Sequence, residues 1–213
     1  MAGATGLVGQ AVLAGLLTDK RYQAVHCVGR RPLVVQHPKL VSHVVDFHHL
    51  THLPGLHHVD DVFITLGTTI KTAGSQNAFK AVDFDAILAV ADVFKRLGAT
   101  KLGVISAMGA DAASKVFYNR IKGQMEEALG RLGYSALLIA RPSLLTGDRG
   151  ALAQAARPAE KLGVLAMALF KPLIPANYQA IGADKVAKAL LRAVQDQQHG
   201  TRVLLSGEMQ AID

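Results

Sequence analysis

The chain has 213 residues, of which half are hydrophobic, and it carries a formal net charge of +7. This length suits one domain with a sizeable core, and the composition excludes disordered and fibrous proteins. The basic residues are scattered and aromatic residues make up only 5% of the chain, so we expect no nucleic-acid partner. We predict a single domain over residues 1–213 with a compact α/β fold.

Targeting signals and cysteine chemistry give little support for a membrane or secreted protein. No apolar run reaches the ~18 residues that a membrane span requires, and no basic-then-apolar leader is visible. The single cysteine, Cys27, lies in an apolar segment and has no possible internal disulfide partner. We therefore expect a cytoplasmic protein with a buried, inert thiol and no membrane contact.

A glycine-rich stretch near the N-terminus, residues 3–9, has the spacing G-x-x-G-x-x-G and is followed by a helical pattern over residues 10–17. This spacing is typical of a strand that turns sharply into a helix, where the backbone approaches a phosphate closely. Free amides and the helix dipole then hold the anion. An ordinary tight connection is the alternative. We predict a dinucleotide pyrophosphate site formed by Gly3, Thr5, Gly6, Leu7, Val8 and Gly9.

The strand expected before this turn is almost absent, because only Met1 and Ala2 precede Gly3. Either the central strand is very short or its first few residues are missing from the sequence. We expect the second of these.

The next apolar segment, residues 24–29, reads as a short buried strand that ends on Arg30, Arg31 and Pro32. In a doubly wound sheet this position lies beside the adenosine ribose. An acidic residue there would bind the ribose hydroxyls of NAD, whereas arginine pairs with an additional 2′-phosphate. The two arginines predict NADP(H), with a solvated basic turn as the alternative.

A third strand over residues 40–45 is followed by Asp46 and Phe47, which are placed to border an adenine or to cap the next segment. Seven histidines lie between His37 and His58. Their spacing matches no metal-ligand pattern. We expect no metal site and a solvated loop or short helix around residues 48–58.

A continuous apolar run, residues 62–66, fits a fourth, fully buried strand. Its end, Leu66, Gly67 and Thr68, would keep the pocket open and offer a hydroxyl to phosphate or ribose. Apolar residues then recur with helical spacing from Asn77 to Leu97, which predicts one long helix stopped by Gly98.

The fifth strand, residues 102–106, delivers the hydroxyl of Ser106 to the sheet edge that carries the glycine turn. Tyr118 and Lys122 follow at a separation of four residues, which places them on one face of a helix. A carbonyl reductase must exchange a proton as hydride moves, and an ammonium beside a tyrosine favours the phenolate. Ser106 would hold the substrate oxygen. A structural ring and a surface lysine are the alternative interpretation.

A sixth strand over residues 135–140 leads into Arg141 and Pro142. Residues 151–180 are rich in alanine and interrupted by prolines, and we expect a small substrate-side segment or lid there. An amphipathic helix over residues 184–194 and a seventh strand over residues 201–205 complete the pattern. The prediction is a doubly wound parallel sheet of about seven strands.

Together, the glycine turn, Val28 to Arg31, Leu66 to Thr69, Ser106 to Ala110, Tyr118, Lys122 and Arg141 to Leu145 resemble the short-chain dehydrogenase/reductase superfamily. They are similar to its atypical branch, the Tat-interactive oxidoreductase-like proteins. The resemblance implies a Rossmann fold, NADP(H), Ser106, Tyr118 and Lys122 as catalytic residues, and Arg141 and Pro142 as cofactor-binding residues, with backbone groups there that face the nicotinamide amide. Many relatives carry an asparagine early in the long helix, where this chain has Asp83.

The sequence thus predicts an NADP(H)-dependent oxidoreductase for a small carbonyl or alcohol substrate, acting as a monomer or homodimer. A non-catalytic NADP(H)-binding regulator that senses redox state is the alternative.

Overall fold

A parallel β-sheet lies at the centre of the computed structural model, which describes residues 1–147, 175–197 and 199–212. The strands in the described residues are β1 (Val25–Gly29), β2 (Leu40–Val44), β3 (Asp61–Ile64), β4 (Lys101–Ile105), β5 (Ala136–Arg141), β6 (Leu145–Thr146), β7 (Ile181–Gly182) and β8 (Gly200–Leu205). The main sheet has the spatial order β2, β1, Ala2, β3, β4, β5, β8, and all its pairings are parallel.

Ala2 forms the central position of this sheet and bridges Val28 on one side and Ile64 on the other. Its amide donates to the carbonyl of Phe63 at 2.9 Å, and its carbonyl accepts from the amide of Thr65 at 2.9 Å. The carbonyl of Met1 accepts from the amide of Val28 at 2.9 Å. These two residues therefore join β1 to β3 and make one sheet of the two groups of strands.

Helices cover both faces of the sheet. They are α1 (Leu7–Thr18), α2 (Ile70–Ala73), α3 (Gln76–Lys80), α4 (Ile87–Arg96), α5 (Phe117–Gly130), α6 (Ala183–Asp196) and α7 (Ser206–Gln210). The buried residues of α1 and α6 form one apolar cluster, and those of α4 and α5 belong to a second cluster. The predicted doubly wound α/β fold is confirmed. No helix within the described ranges is both long and apolar enough to span a membrane.

The described residues contain eight strands in addition to Ala2, close to the predicted number of about seven, and six of the eight lie with Ala2 in the main sheet. The two that the sequence did not predict, β6 and β7, pair with each other outside the main sheet. Each has only two residues, too few to show an alternating pattern. Most of the predicted substrate-side segment, residues 151–174 of 151–180, lies outside the described residues.

The predicted long helix is present, but it contains a π-helical turn, Ala81–Ala86, between α3 and α4. Gly98 follows it with φ of +93°, as expected for the residue that stops the helix. The π-turn carries Asp83, whose side chain is fully buried. Such turns are often found at functional sites.

The carboxylate of Asp19, directly after α1, forms hydrogen bonds that connect the end of α1 to the end of α6. Its Oδ2 atom accepts from Arg21 Nη2 at 2.7 Å and from Gln195 Nε2 at 2.9 Å. The hydrogen bonds from Arg21 hold the pKa of Asp19 at about 2, below its ordinary value of 3.8. Because these interactions favour the ionised form in the folded protein, they contribute to stability only when Asp19 is ionised.

We expect the Asp19→Asn variant to be less stable than the native protein by about 1 kcal/mol at pH 7. The difference should persist down to about pH 4 and should shrink as the pH falls from there toward 2, because the native carboxylate then becomes protonated. Urea unfolding at a series of pH values measures this. The Asp92→Asn variant, which removes an exposed ion pair with Arg96, is the control. A difference for Asp19→Asn that does not change with pH would contradict the assignment.

Candidate cofactor and active site

The three glycines of the opening loop have different structural roles. Gly3 has φ of +89°, and an added Cβ there would lie 2.6 Å from the carbonyl carbon of Thr65. A Cβ on Gly9 would lie 1.9 Å from the carbonyl oxygen of Gly3. A Cβ on Gly6 would have the Gly3 carbonyl oxygen at 3.4 Å as its nearest neighbour. Gly3 and Gly9 are therefore required for packing, whereas a methyl group at Gly6 would make only ordinary van der Waals contacts.

The first turn of α1 presents its backbone amides without a side-chain cap. The N-cap residue is Gly6, which has no side chain that could accept a hydrogen bond from these amides. The first turn also contains no acidic residue. Val8 is buried in the core, so it can offer only its amide to a ligand. Uncapped amides at a helix N-terminus form an anion site. The loop therefore fits a pyrophosphate, as the spacing of the glycines predicts.

Two cavities extend from this loop along the carboxyl ends of the strands. The larger, about 520 Å³, runs from the glycine loop to the residues after β3. The smaller, about 90 Å³, lies toward the end of β1. Of the predicted cofactor residues, those that line one or both cavities are Gly3, Thr5, Gly6, Arg30, Arg31, Phe47, Leu66, Gly67 and Thr68. The structure thus brings together residues from four separate segments of the chain.

The end of β1 provides two exposed arginines and no carboxylate to the groove. Arg30 lines both cavities. The carboxylate of Asp46 is instead bound within its own turn, where it accepts from the amide of His48 at 3.0 Å and lies 2.7 Å from His49 Nδ1. The hydrogen bond from His49 lowers the pKa of Asp46. Asp46 therefore caps the segment that follows it, whereas Phe47 lines the smaller cavity.

Cys27 also borders the smaller cavity and is buried. Burial raises the pKa of its thiol. The thiol therefore stays protonated at neutral pH and behaves as a small apolar side chain, as the sequence predicts.

Arg141 and Pro142 lie at the end of β5, beside the last residues of β4. The guanidinium of Arg141 donates from Nε to Glu126 Oε1 at 3.0 Å, and this hydrogen bond raises the pKa of Arg141. The carbonyl of Pro142 accepts from the amide of Met108 at 3.2 Å. The Arg141 side chain is thus engaged within the protein, and its predicted contact with a cofactor stays a prediction.

The predicted catalytic serine, Ser106, directly follows β4. Its amide donates to the carbonyl of Ala140 at 2.7 Å, which fixes the backbone. Its hydroxyl is buried, and no described residue forms a hydrogen bond with it. A buried hydroxyl without a protein partner is costly unless a ligand completes its hydrogen bonds.

Tyr118 and Lys122 both lie on α5, one turn apart. The Tyr118 ring packs against Phe79 of α3 with a centroid distance of 5.3 Å. One turn further along both helices, Lys122 Nζ lies 2.7 Å from Asp83 Oδ1. A Cβ built on Gly67 would lie 4.0 Å from Lys122 Nζ and 3.5 Å from Asp83 Oδ1. The ammonium is therefore placed at the edge of the groove, beside the end of β3.

Among the described residues, the buried charged side chains are Asp83, Lys122 and Glu126. Charged groups are rarely buried unless they are paired, and clusters of them mark functional sites. Neither the ion pair of Asp83 nor the burial of Glu126 was predicted from the sequence. The position of Glu126, four residues after Lys122, was the available signal because it places both on one face of α5.

Comparison with known proteins agrees with this geometry. The chain is 33% identical over 164 residues to Protein HTATIP2 of Rattus norvegicus, and this match covers 75% of the chain and 66% of that protein. It is 32% identical over 160 residues to the mitochondrial protein FMP52 of Coccidioides immitis, covering 69% and 65% of the two chains. With the corresponding protein of Aspergillus niger it shares 30% identity over 205 residues, covering 90% and 84%. No protein-family model matches the chain.

The chain belongs to the HTATIP2 and FMP52 group of the atypical short-chain dehydrogenase/reductase superfamily. Its match spans about two thirds of the length of the first two relatives. The expected cytoplasmic location is contradicted by the fungal relatives, which are named as mitochondrial proteins.

Solved structures similar to this member of the superfamily include MoeE5 in complex with UDP-glucose and NAD. Its TM-score is 0.70 with 16% identity, and the match covers 95% of this chain and 73% of that one. The enzyme WbmH of Bordetella bronchiseptica in complex with NAD⁺ has a TM-score of 0.68 with 14% identity, covering 97% and 74%. At this identity the likeness supports the Rossmann fold.

The Gly6→Ala and Gly9→Ala variants should separate ligand binding from packing. We expect Gly6→Ala to fold with nearly native stability and to lose dinucleotide affinity at least tenfold, because Gly6 lines the larger cavity at the first turn of α1 and a methyl group there would occupy space that a phosphate needs. Gly9→Ala should lower the stability by about 1–3 kcal/mol, because its methyl group meets the Gly3 carbonyl. Thermal unfolding and titration with NADPH and NADH measure the two effects. Native affinity in Gly6→Ala would contradict the placement of the pyrophosphate.

Proposed function

We propose that the protein is an NADP(H)-dependent oxidoreductase that acts on a small carbonyl or alcohol substrate, with Tyr118 as the general acid or base. The observation that carries this proposal is the Ser106 hydroxyl, which is buried at the carboxyl end of β4 without a partner among the described residues. A substrate oxygen is the group that would complete its hydrogen bonds.

The groove suits a nicotinamide dinucleotide along its whole length. The uncapped first turn of α1 would hold the pyrophosphate, and the small cavity beside Phe47 would accept the adenosine. Gly67 and Thr68 border the groove near the Lys122 ammonium, where the nicotinamide ribose would lie. When bound, the cofactor supplies or accepts the hydride.

The residues of the chain supply the proton and hold the substrate. Ser106 would donate a hydrogen bond to the substrate oxygen, and Tyr118 would exchange a proton with that oxygen. Lys122 would attract the phenolate and bind the ribose, because its ammonium lies beside Gly67 on the same helix face as Tyr118. This division of roles is the one that the resemblance to the superfamily implies.

The Tyr118→Phe variant tests the catalytic role. We expect it to bind NADPH with unchanged affinity and to lose at least 100-fold in turnover over a panel of aldehydes and ketones, because the phenol proton is absent. NADPH consumption and fluorescence titration measure the two quantities. If the native protein binds NADPH but turns over no substrate in the panel, the proposal fails in favour of a non-catalytic cofactor-binding protein.

The preference for NADP(H) is proposed from Arg30, which borders both cavities at the end of β1, where no carboxylate of the described residues lines the groove. We expect Arg30→Ala to weaken NADPH binding by about 10- to 150-fold, equivalent to ~1.5–3 kcal/mol for a charge-assisted hydrogen bond, and to spare NADH. Arg131→Ala, which removes an exposed arginine that lines neither cavity, is the control and should leave both affinities unchanged. Equal losses for both nucleotides in Arg30→Ala would exclude a contact with the 2′-phosphate.

A further inference from the structure

The connection between β1 and β2, residues 30–39, is short, and none of its residues lies in a helix or a strand. Two neighbouring parallel strands are usually joined by a dozen or more residues that include a covering helix, and parallel strands are usually buried on both faces. β2 lacks such a helix, and it is also the outermost strand at one edge of the sheet. We call residues 30–39 the valine loop.

Aliphatic side chains are exposed on this uncovered part of the molecule. Of the seven large apolar side chains that are exposed among the described residues, four are valines of this loop and of β2, namely Val34, Val35, Val41 and Val44. Val34 is 97% exposed and Val35 is 54% exposed. Pro32 and Pro38 stand on either side of these two valines and restrict the backbone there. Val34 and Val35 therefore form an apolar tip in solvent.

The base of the valine loop is held against the protein at both ends. Leu33 packs against the apolar cluster that contains α1 and α6, and its amide donates to the Ser42 hydroxyl at 3.5 Å. At the other end, the carbonyl of His37 accepts from the amide of Leu40 at 2.9 Å. Because the base is fixed, the tip can be buried by a partner at a small cost in conformational entropy.

The charge around the valine loop is positive. The sequence has no acidic residue between Asp19 and Asp46, and its basic residues in that interval are Lys20, Arg21, Arg30, Arg31 and Lys39. Asp19 is paired with Arg21, and Asp46 lies 2.7 Å from His49. Neither carboxylate is therefore free to neutralise the loop. A second copy of this surface would bring like charges together, which disfavours a dimer through this face.

An aliphatic tip with cations at its base has the chemistry that binds an anionic bilayer surface. The apolar tip enters the boundary between headgroups and acyl chains, while long basic side chains reach the lipid phosphates. A nucleic acid would bind the cations but leave the valines in water, because its outer surface is charged phosphate. A peptide usually docks in a groove, and neither Val34 nor Val35 lines any of the cavities beside the loop.

We propose that the valine loop is a membrane-contact site, which inserts Val34 and Val35 into the surface of an anionic bilayer and places Arg31 and Lys39 at the lipid phosphates. This inference does not depend on the proposed oxidoreductase function. It departs from the expectation of no membrane contact, which was drawn from the search for a membrane span and a leader. A loop that binds a bilayer surface requires neither of these signals.

Cosedimentation with lipid vesicles tests the inference in the native protein. One set of vesicles is phosphatidylcholine alone, and the other is equal parts of phosphatidylcholine and phosphatidylglycerol. We expect binding to the mixed vesicles to be about tenfold or more stronger, and to weaken as the salt concentration rises. Absence of binding to the mixed vesicles at low salt would overturn the inference.

The double variant Val34→Ser/Val35→Ser tests the apolar tip. We expect its binding to the mixed vesicles to be about tenfold or more weaker than that of the native protein, because two valine side chains no longer gain from transfer out of water. Arg31→Gln should weaken binding about fivefold, the effect of one cation near an anionic surface. If the double variant binds like the native protein, charge alone holds the protein on the vesicles and the inference is overturned.

Val116→Ser/Val203→Ser is the matched control, because it makes the same change at two other exposed valines. Val116 precedes α5, and Val203 lies on β8 at the opposite edge of the sheet. We expect this variant to bind the mixed vesicles like the native protein. Equal losses in the two double variants would overturn the assignment to the valine loop.

A single tryptophan gives a second measurement that does not rely on loss of binding. The chain contains no tryptophan, so Val34→Trp carries one fluorescent reporter at the tip of the loop. We expect its emission to move to shorter wavelength on the mixed vesicles and to be quenched by brominated lipid, whereas Val203→Trp should show neither effect. Emission of Val34→Trp that keeps its solvent value while the protein cosediments would place another surface on the bilayer and overturn the inference.

Discussion

The contact between Gly9 and the carbonyl oxygen of Gly3 is the constraint on which the rest of the structure depends. Ala2, immediately before Gly3, is hydrogen-bonded to β3 and lies next to β1, and Thr65 Oγ1 donates to the Gly3 carbonyl at 3.1 Å. The first turn of α1 is thereby pressed against the centre of the sheet, because no side chain separates it from the strand end. This close packing leaves the amides of α1 directed at the edge where all the parallel strands end.

Much of this edge could be predicted from the sequence because its parts are short, local patterns. The spacing of Gly3, Gly6 and Gly9 needs no knowledge of distant residues, and Arg30 and Ser106 each follow an apolar run that reads as a strand. Parallel strands place their carboxyl ends at one edge, so the topology alone brings these residues together. The glycine pattern did not reveal that, of the three, only Gly6 could carry a methyl group without a close backbone contact, since that distinction depends on which atoms lie beside each glycine.

The features that the sequence did not predict depend on contacts between distant residues. Ala2 is part of the sheet through hydrogen bonds to residues about 60 positions away and has no strand pattern of its own. The π-turn around Asp83 adds a residue to one helical turn without breaking the apolar pattern, so a single regular helix is the simplest interpretation of residues 77–97. Asp46 was given a cofactor role from its position after a strand and Arg141 from the family resemblance, and the sequence did not predict the contacts of their side chains with His49 and Glu126.

The charges of the site also explain why the overall basic character of the chain says little about its ligand. The buried charges of the described residues form two neighbouring pairs, Lys122 with Asp83 and Glu126 with Arg141, so the interior of the site carries nearly balanced charge. Attraction for an anionic cofactor must then come from the uncapped amides of α1 and from Arg30 at the rim. Backbone amides bind phosphate through the direction of their N–H groups, and Arg30 acts at one end of the groove. A few local groups can therefore set the selectivity between cofactors. The net charge of +7 therefore does not by itself identify a ligand.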